Sequence, residues 1–490
     1  MATGSINISS NISRNTLLST YAPKPCTKFI VKNNGNGSAL LYWDDPEDYV
    51  TADSRKVSWK FTRIVRKLGS YPRNENDGTI VVDSSIRNQY SKTKFIDTGL
   101  SNYTTYYYSA FTCSTDNVYN YERVGGSIQV YPWRTMTVVL NLLNSNPAGI
   151  GSYSDDAVDM ESGSSEWDTF FGHKPCLFKD GKVVGYLNPN DFTKFENGAA
   201  ADITSGDAGD VMIEFPRRGV RISKSSGSFV TVSMTDNPDD PSFKYYAHQR
   251  GNDDKSYFYL GAYIGSVKSD IFRSLSNTSM LYGVNHSTVD MYSKNHGTNY
   301  GFMGFYQWLF LQVMYVLRFK GNLNSEAVVG SGQAIAASKL STGRSNSKGM
   351  NYGDKNVVKL FGIEDIWGNM SQLINNFKFG SYKTSTRTDD SSSPYVDRDN
   401  WNNPGSIGGK FYTMCIGTSE SGFMFHGDSS SGSSSTYFCD YVDAVQSDRF
   451  VAVGGTTNGG NRCGIFYQNG VDWNDQYTYN WSYSSRLQYL

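Results

Sequence analysis

The sequence predicts a mainly β protein with some α-helix, an α+β chain in which a short arm precedes two domains. Short alternating apolar stretches, separated by Asn, Asp, Gly and Pro, recur through the first third of the chain and again beyond it. One segment, residues 301–319, is apolar at helical spacing instead. Of the 490 residues, 48 are Gly and 35 are Tyr while only 19% are charged, a composition typical of a loop-rich β protein.

Charge and hydropathy argue against several classes of function. With 45 basic and 46 acidic residues the formal net charge is -1, so we expect no nucleic-acid partner. The first twenty residues lack both an apolar run and a basic start, and Gln307, Gln312 and Arg318 interrupt the most apolar stretch. We therefore expect neither a secretory signal nor membrane insertion.

The six cysteines include no CxxC pair, which favours reduced, mostly buried thiols.

The first 132 residues predict an arm and a β-sandwich. Residues 1–23 are polar and rich in Ser and Asn, which is typical of a flexible or attachment arm. Residues 24–132 alternate between short strands and turns over about a hundred residues, as β-sandwiches do. The predicted strands are 26–32, 38–43, 57–67, 79–83, 104–113 and 127–130, with a hairpin turn at 34–37.

Two features of this region resemble the fibronectin type III family. Trp43 lies near the end of the second predicted strand, and residues 100–106, LSNYTTY, are similar to the family's Leu-x-Pro-x-Thr-x-Tyr stretch, with Asn102 in place of the Pro. The resemblance implies a tyrosine corner at Tyr106. Any immunoglobulin-like sandwich is the alternative, and both kinds of module usually serve as spacers or adaptors.

Residues 133–490 predict the second domain. Its start, 133–165, is rich in Gly, Ser and Asp with little periodicity and predicts an exposed loop or linker. The apolar residues of 301–319 form a stripe so wide that this helix must lie deep in a core. Further strands are predicted at 175–179, 209–215 and 229–234.

Motifs near the C-terminus resemble formylglycine-generating-enzyme-like domains, which have a C-type-lectin-like fold. Residues 362–369, GIEDIWGN, are similar to the family's G-x-x-D-x-x-G-N element. Residues 453–455, 464–466 and 486–487 are similar to its closing G-G, G-x-F and R-L elements. The sequence departs from the pattern of active members at Ala452, Thr456, Thr457, Met370, Ser371, Gln372 and Ser485.

The order of these elements also resembles C-type-lectin-like tail proteins of bacteriophages and prophages. In such proteins a diversity-generating retroelement can mutate adenines in the codons of a C-terminal variable region. Between Thr456 and Tyr483, 15 of the 28 residues are Asn, Tyr, Asp, Thr or Ser, the residues that such mutagenesis favours. Tyr and Trp supply rigid contact area and Asn adaptable hydrogen bonding, as in antibody paratopes. An ordinary solvated loop is the alternative.

The resemblance implies a variable, ligand-binding region at about 433–490. The resemblance also implies a bacterial cell-surface receptor as the partner, and because the charges of 456–490 cancel, a glycan or a protein surface fits better than an acidic polymer. Other phage tail proteins are expected to contact the N-terminal region, and a homotrimer is one possible oligomeric state. The expected location is the virion tail, with the bacterial cell surface as the alternative. The candidate ligand-binding residues are Thr457, Asn461, Arg462, Tyr467, Asn469, Asp472, Trp473, Asn474, Asp475, Tyr477 and Tyr479.

We expect no catalytic residue, cofactor or metal, and weigh two alternatives. Enzymes of the resembled family use paired cysteines near the C-terminus for copper-dependent oxidation; here Cys463 has no later partner, so a metal-dependent oxidase is the second candidate. A structural tail or surface protein without its own ligand is the third.

Two acidic motifs resemble known functional sites only weakly. Residues 473–475, WND, match the tripeptide of calcium-dependent lectins, but its usual partner tripeptide is missing upstream in this region. The adjacent carboxylates Glu364 and Asp365 are interpreted as solvated or capping acids, because adjacency in sequence does not set a catalytic separation.

Overall fold

The protein is described here from a computed structural model, in which most of the chain is placed. The mainly β class with some α-helix is confirmed. The chain divides between Arg134 and Thr135 into two compact units, whereas the predicted boundary lies between residues 132 and 133. The described residues are 21–224, 229–380, 383–386, 396–400, 409–412, 414–415, 425, 427–429, 432–444, 449–472 and 483–490.

The first unit contains two antiparallel sheets that share one core. All six predicted strands overlap observed ones. The elements are β1 (Thr27–Gly35), β2 (Ser38–Asp44), β3 (Tyr49–Val50), β4 (Lys56–Val57), β5 (Trp59–Leu68), β6 (Thr79–Ser84), α1 (Gln89–Lys92), β7 (Phe95–Asp97), β8 (Thr105–Ser114) and β9 (Val124–Gln129). One sheet has the order β1-β2-β7 and the other β6-β5-β8-β9, and β3 and β4 form a hairpin.

Trp43 on β2 and Tyr106 on β8, the two residues of the predicted motifs, both lie in the core of this unit. Trp43 is buried between the sheets and donates a hydrogen bond from Nε1 to Asp45 over 2.9 Å. The hydroxyl of Tyr106 accepts a hydrogen bond of 3.0 Å from the backbone N–H of Ser101, five residues upstream. That bond joins the start of β8 to the preceding loop, the arrangement of a tyrosine corner.

The second unit contains three large sheets. The first has the order β11-β10-β17-β16, the second β14-β13-β12-β15-β20-β37-β23, and the third β29-β28-β27-β34-β35-β33-β30, with β36 also paired to β27. The strands are β10 (Thr135–Asn141), β11 (Gly151–Asp155), β12 (Lys174–Lys179), β13 (Lys182–Asn188), β14 (Asp191–Phe195), β15 (Asp210–Pro216), β16 (Gly219–Lys224), β17 (Phe229–Thr235), β18 (Gln249–Arg250), β19 (Asp253–Asp254), β20 (Tyr257–Gly261), β21 (Ser266–Lys268), β22 (Ile271–Arg273), β23 (Tyr300–Phe302), β24 (Tyr352–Gly353), β25 (Val358–Leu360), β26 (Ile363–Glu364), β27 (Ser371–Gly380), β28 (Lys383–Thr386), β29 (Val396–Asn400), β30 (Gly409–Tyr412), β31 (Met414–Cys415), β32 (Gly427–Ser429), β33 (Tyr441–Ala444), β34 (Arg449–Gly454), β35 (Gly464–Asp472), β36 (Tyr483–Ser484) and β37 (Leu487–Tyr489).

The helices of this unit are few, and the longest lies in its core. They are α2 (Glu166–Phe171), α3 (His286–Lys294), α4 (Phe305–Arg318) and α5 (Ser325–Val328), with short 3₁₀ turns at Tyr246–His248, Gly332–Ile335 and Gly460–Arg462. Every residue of α4 is buried, which confirms the predicted core helix. Its Gln312 donates a 2.9 Å hydrogen bond to the carbonyl of Ile465, so α4 holds β35 directly. Among the placed helices, none combines the length and apolarity needed to cross a membrane.

Residues 133–165 are not an exposed loop, and that prediction is wrong. They contain β10 and β11, which pair with each other, and β10 also pairs with β17. Met136, Val138 and Leu140 are buried in the main core. Met136, Val138 and Leu140 occupy alternate positions of β10, but the apolar Val139 between them and the Gly, Ser and Asp of the surrounding turns obscured that short signal.

The expectation for the cysteines is confirmed where the side chains are placed. Cys26, Cys113, Cys176, Cys439 and Cys463 are free and buried.

Candidate functional site

Arg486 connects the two C-terminal motifs in the interior of the second unit. Its guanidinium is fully buried, and Nε donates a 2.6 Å hydrogen bond to Oε1 of Gln372. Nη2 donates to the carbonyl of Asp365 over 2.7 Å and to that of Glu364. Burial lowers the pKa of Arg486 to about 10, so the side chain stays charged at neutral pH. The closing motif therefore fixes the backbone of residues 362–369.

Glu364 and Asp365 are predicted to be solvated or capping acids; both are buried, so the solvated alternative is wrong. Glu364 accepts hydrogen bonds of 2.7 Å from the backbone N–H groups of Gly343 and Ser345. Asp365 accepts hydrogen bonds of 2.5 Å from Arg344 and 2.8 Å from Asn369. Burial raises the pKa of Asp365 to about 6, and the charge of Glu364 adds to the shift. Both carboxyls hold the loop 340–346 in place, which adjacency in the sequence could not show.

Asn369 of the first motif also holds the loop that follows β34. The chain turns at Gly454 and Gly455, whose φ angles are 81° and 77°, a region that favours glycine. The Thr456 hydroxyl and the Thr457 N–H then donate to the carbonyl of Asn369 over 3.3 and 3.4 Å. Thr457 is thus half-buried and tied to the scaffold.

Cys463 packs beneath this loop. Its Sγ donates a 3.4 Å hydrogen bond to the carbonyl of Thr456. A Cβ added to Gly455 or Gly459 would lie 2.4 or 2.3 Å from Sγ, so both glycines leave the room that the thiol occupies. The thiol therefore supports the loop from inside.

The buried thiols of the second unit favour their neutral form. Burial, strengthened by the negative charges of Glu326 and Asp440, raises the pKa of Cys463 well above its usual range. Burial and the charge of Asp440 likewise raise the pKa of Cys439 to about 12. Among the placed side chains, no group of three His, Cys, Asp or Glu residues is arranged to hold a metal ion.

A polar, aromatic surface lies on β33 and β35 beside the loop, and we call it the C-terminal face. β33 and β35 are parallel neighbours, with Asp443 opposite Asn469. The guanidinium of the exposed Arg462 lies 5.4 Å from the ring centre of Tyr441. Asn469 donates a 3.0 Å hydrogen bond from Nδ2 to the hydroxyl of Tyr483. The face consists of Tyr441, Asp443, Arg462, Tyr467, Asn469 and Tyr483.

Tyr467 lies at the centre of these interactions. It is half-buried, and burial raises the pKa of its phenol well above the usual range. Cys463, Tyr483, Asp443 and Arg462 all interact with it electrostatically. The phenol therefore stays protonated and can donate a hydrogen bond at any physiological pH.

The structure brings together only part of the predicted site. Arg462, Tyr467 and Asn469 share the C-terminal face, while Asn461 is exposed on the neighbouring 3₁₀ turn. Asp472 ends β35 opposite Arg449, and its side chain lies outside the described residues. The other candidates, which also lie outside the described residues, are Trp473, Asn474, Asp475, Tyr477 and Tyr479, together with the WND tripeptide.

Tyr441, Asp443 and Tyr483 are residues that the sequence-based site omitted. Tyr441 and Asp443 alternate with the buried Val442 on β33, a two-residue period that could have indicated them. Tyr483 is paired to β27 and reaches the face only through the fold.

A scan against protein-family models matched none, and a search of the curated proteins found no match.

Proposed function

We propose that the protein is a non-catalytic receptor-binding protein, an adhesin that binds a bacterial surface ligand through the C-terminal face. The observation that carries this proposal is the combination of three tyrosines, an arginine and an asparagine on one strongly supported surface. β35 pairs with β34 on one side and β33 on the other, and α4 bonds to its backbone. Such support lowers the ordering cost that a binding surface otherwise bears.

The chemistry of the face favours a neutral ligand. Arg462 and Asp443 are the charged members and offset each other. Tyr441, Tyr467 and Tyr483 offer flat rings for stacking and phenols for hydrogen bonds, and Asn469 adds an amide. A glycan or a protein surface matches these groups better than an acidic polymer does, and binding should depend only weakly on salt.

Two features support placing this protein on a phage-type tail, with the bacterial cell surface as the alternative location. The first unit's three-stranded and four-stranded sheets, with the Tyr106 hydrogen bond, suit a fibronectin type III spacer. The contacts between Arg486 and residues 364–365 suit a C-type-lectin-like, formylglycine-generating-enzyme-like second domain. Diversification by a retroelement would then alter residues of the face, such as Tyr467 and Asn469, while Phe466 stays in the core. A nearby reverse transcriptase gene with a template repeat that differs at adenines would support that part.

The proposal is tested by adsorption of the fluorescently labelled full chain to a panel of bacterial strains. Tyr467→Ala should weaken binding by about tenfold or more, as truncation of a central aromatic contact does. Tyr257→Ala is the matched control, because Tyr257 is 44% exposed on the second unit but outside the face. Equal binding by both variants, or no adsorption to any strain, would contradict the proposal and favour a structural protein.

A further inference from the structure

An open cavity of about 640 Å³, lined by both polar and apolar residues, lies in the second unit. Three segments line it, residues 193–204, 276–277 and 340–346. None of the residues of the C-terminal face is among them. The volume falls within the ~300–1,000 Å³ of small-molecule sites. This cavity is called the hydroxyl pocket below, after the Ser and Thr residues in its lining.

Hydrogen bonds between the three segments fix the walls of the hydroxyl pocket. The N–H of Asn277 donates to the carbonyl of Thr342 over 3.0 Å, and Asn346 donates from Nδ2 to the Ser276 hydroxyl over 2.9 Å. The N–H of Ser276 donates a hydrogen bond of 2.9 Å to the carbonyl of Ile203. Since Glu364 also binds Gly343 from below, the walls are ordered before any ligand arrives.

Polar groups remain available at the rim of the hydroxyl pocket. The side chains of Asn277 and Ser341 are exposed and make no hydrogen bond to any placed residue. The Asn277 amide and the Ser341 hydroxyl can each donate and accept hydrogen bonds. Leu340 is 37% exposed beside them, and the half-buried Ala201 supplies a second apolar surface. Apolar patches beside free amide and hydroxyl groups are typical of a site with a few orienting polar contacts.

The hydroxyl pocket suits neither an anion nor a cation. Arg344 is its charged lining residue, and that guanidinium is already bonded to Asp365 over 2.5 Å and to the carbonyl of Ser341 over 3.0 Å. No carboxylate occurs among the residues that line the cavity, all of which are placed. A ligand therefore meets hydroxyls, amides and apolar carbon rather than an unpaired charge.

We propose that the hydroxyl pocket is a second ligand site, which takes a neutral, hydroxyl-rich small molecule of the size of a mono- or disaccharide. Asn277 and Ser341 exchange hydrogen bonds with the ligand hydroxyls, and Leu340 and Ala201 pack against the apolar face of a sugar ring. This site is separate from the C-terminal face and does not depend on the function proposed for it.

The experiment is saturation-transfer-difference NMR on the full chain with the methyl glycosides of glucose, galactose, mannose and N-acetylglucosamine. At least one glycoside should give a signal. Ser341→Trp, which fills the cavity, should abolish it, whereas Ser347→Trp should not, because Ser347 is exposed on the same loop and does not line the cavity. Asn277→Ala removes one polar partner and should weaken binding about fivefold without adding bulk. Thermal melts of the variants establish that each one folds.

The absence of a signal from all four glycosides would overturn the proposal. A signal that survives Ser341→Trp, or an affinity unchanged by Asn277→Ala, would do so as well. Loss of the signal in Tyr467→Ala, with retention in Ser341→Trp, would place the glycoside on the C-terminal face. That outcome would overturn this inference and support the proposed function, so the two failures are distinguishable.

Discussion

Replacing His173 by Phe should make the second unit less sensitive to acid. The side chain of His173 is fully buried among aromatic rings, stacked on Phe215 at 5.9 Å and edge-on to Phe361 at 5.7 Å. Neither ring nitrogen has a hydrogen-bond partner among the described residues. Asp168 lies 3.7 Å from Nε2 but is paired with Arg318. Burial lowers the pKa of His173 to about 3, and the charge of Arg318 adds to the shift.

The direction and size of the effect follow from this lowered pKa. In the unfolded chain the imidazole takes up a proton near its ordinary pKa of 6.5, whereas in the folded protein it does not until about 3. The stability that His173 contributes is therefore complete above pH 6.5 and is lost as the pH falls from 6.5 towards 3. Integrated from neutral pH to about pH 5, the loss is about 2 kcal/mol.

Phe cannot titrate, and it suits the aromatic surroundings of this position. We expect His173→Phe to be neutral or stabilising at about pH 7.5, since it removes two unpaired buried nitrogens. Its advantage over the natural protein should grow by about 2 kcal/mol at about pH 5. Urea unfolding at both pH values measures this difference in the free energy of unfolding. Hydrogen exchange of the backbone amides of α4 reports on the second unit, to which that helix belongs.

His173→Leu is the control for packing. Its free energy of unfolding should depend on pH as that of His173→Phe does, with a constant offset, because neither Leu nor Phe titrates at position 173. Parallel pH profiles for His173→Phe and the natural protein would refute the reasoning, since they would mean that His173 takes up its proton equally in both states.

Two further variants test the scaffold of the C-terminal face. Arg486→Met should destabilise the second unit by about 2–6 kcal/mol, because the carbonyls of Glu364 and Asp365 lose their buried donor and each unsatisfied buried acceptor costs about 1–3 kcal/mol. Urea unfolding measures this loss, and Arg486→Lys should recover part of it; equal stability of both variants would argue that packing alone matters. Gly459→Ala should cost about 1–3 kcal/mol, since its Cβ would lie 2.3 Å from the Cys463 sulfur. Adding Cys463→Ala should restore part of that stability, and a larger loss in the double variant would contradict the steric explanation.

Local patterns predicted the parts of the fold that depend on neighbours in sequence. Alternation indicated β5 and β8, and the wide apolar stripe indicated α4, because side chains of a regular element repeat with its geometry. The same approach missed β10, whose signal is only seven residues long and lies beside turn residues. Two short motifs, 362–369 and 486–487, were singled out by resemblance, yet nothing in their spacing showed that they touch.

Composition and periodicity are enough to predict the mainly β class, the core helix and the surplus of Tyr and Asn near the C-terminus. The burial of Glu364 and Asp365, the meeting of Tyr441 and Tyr483 with Tyr467 on one face, and the lining of the hydroxyl pocket by distant residues are seen only in the folded chain. This is because burial and contact between distant segments depend on how strands pair. Residue type restricts that pairing but does not specify it.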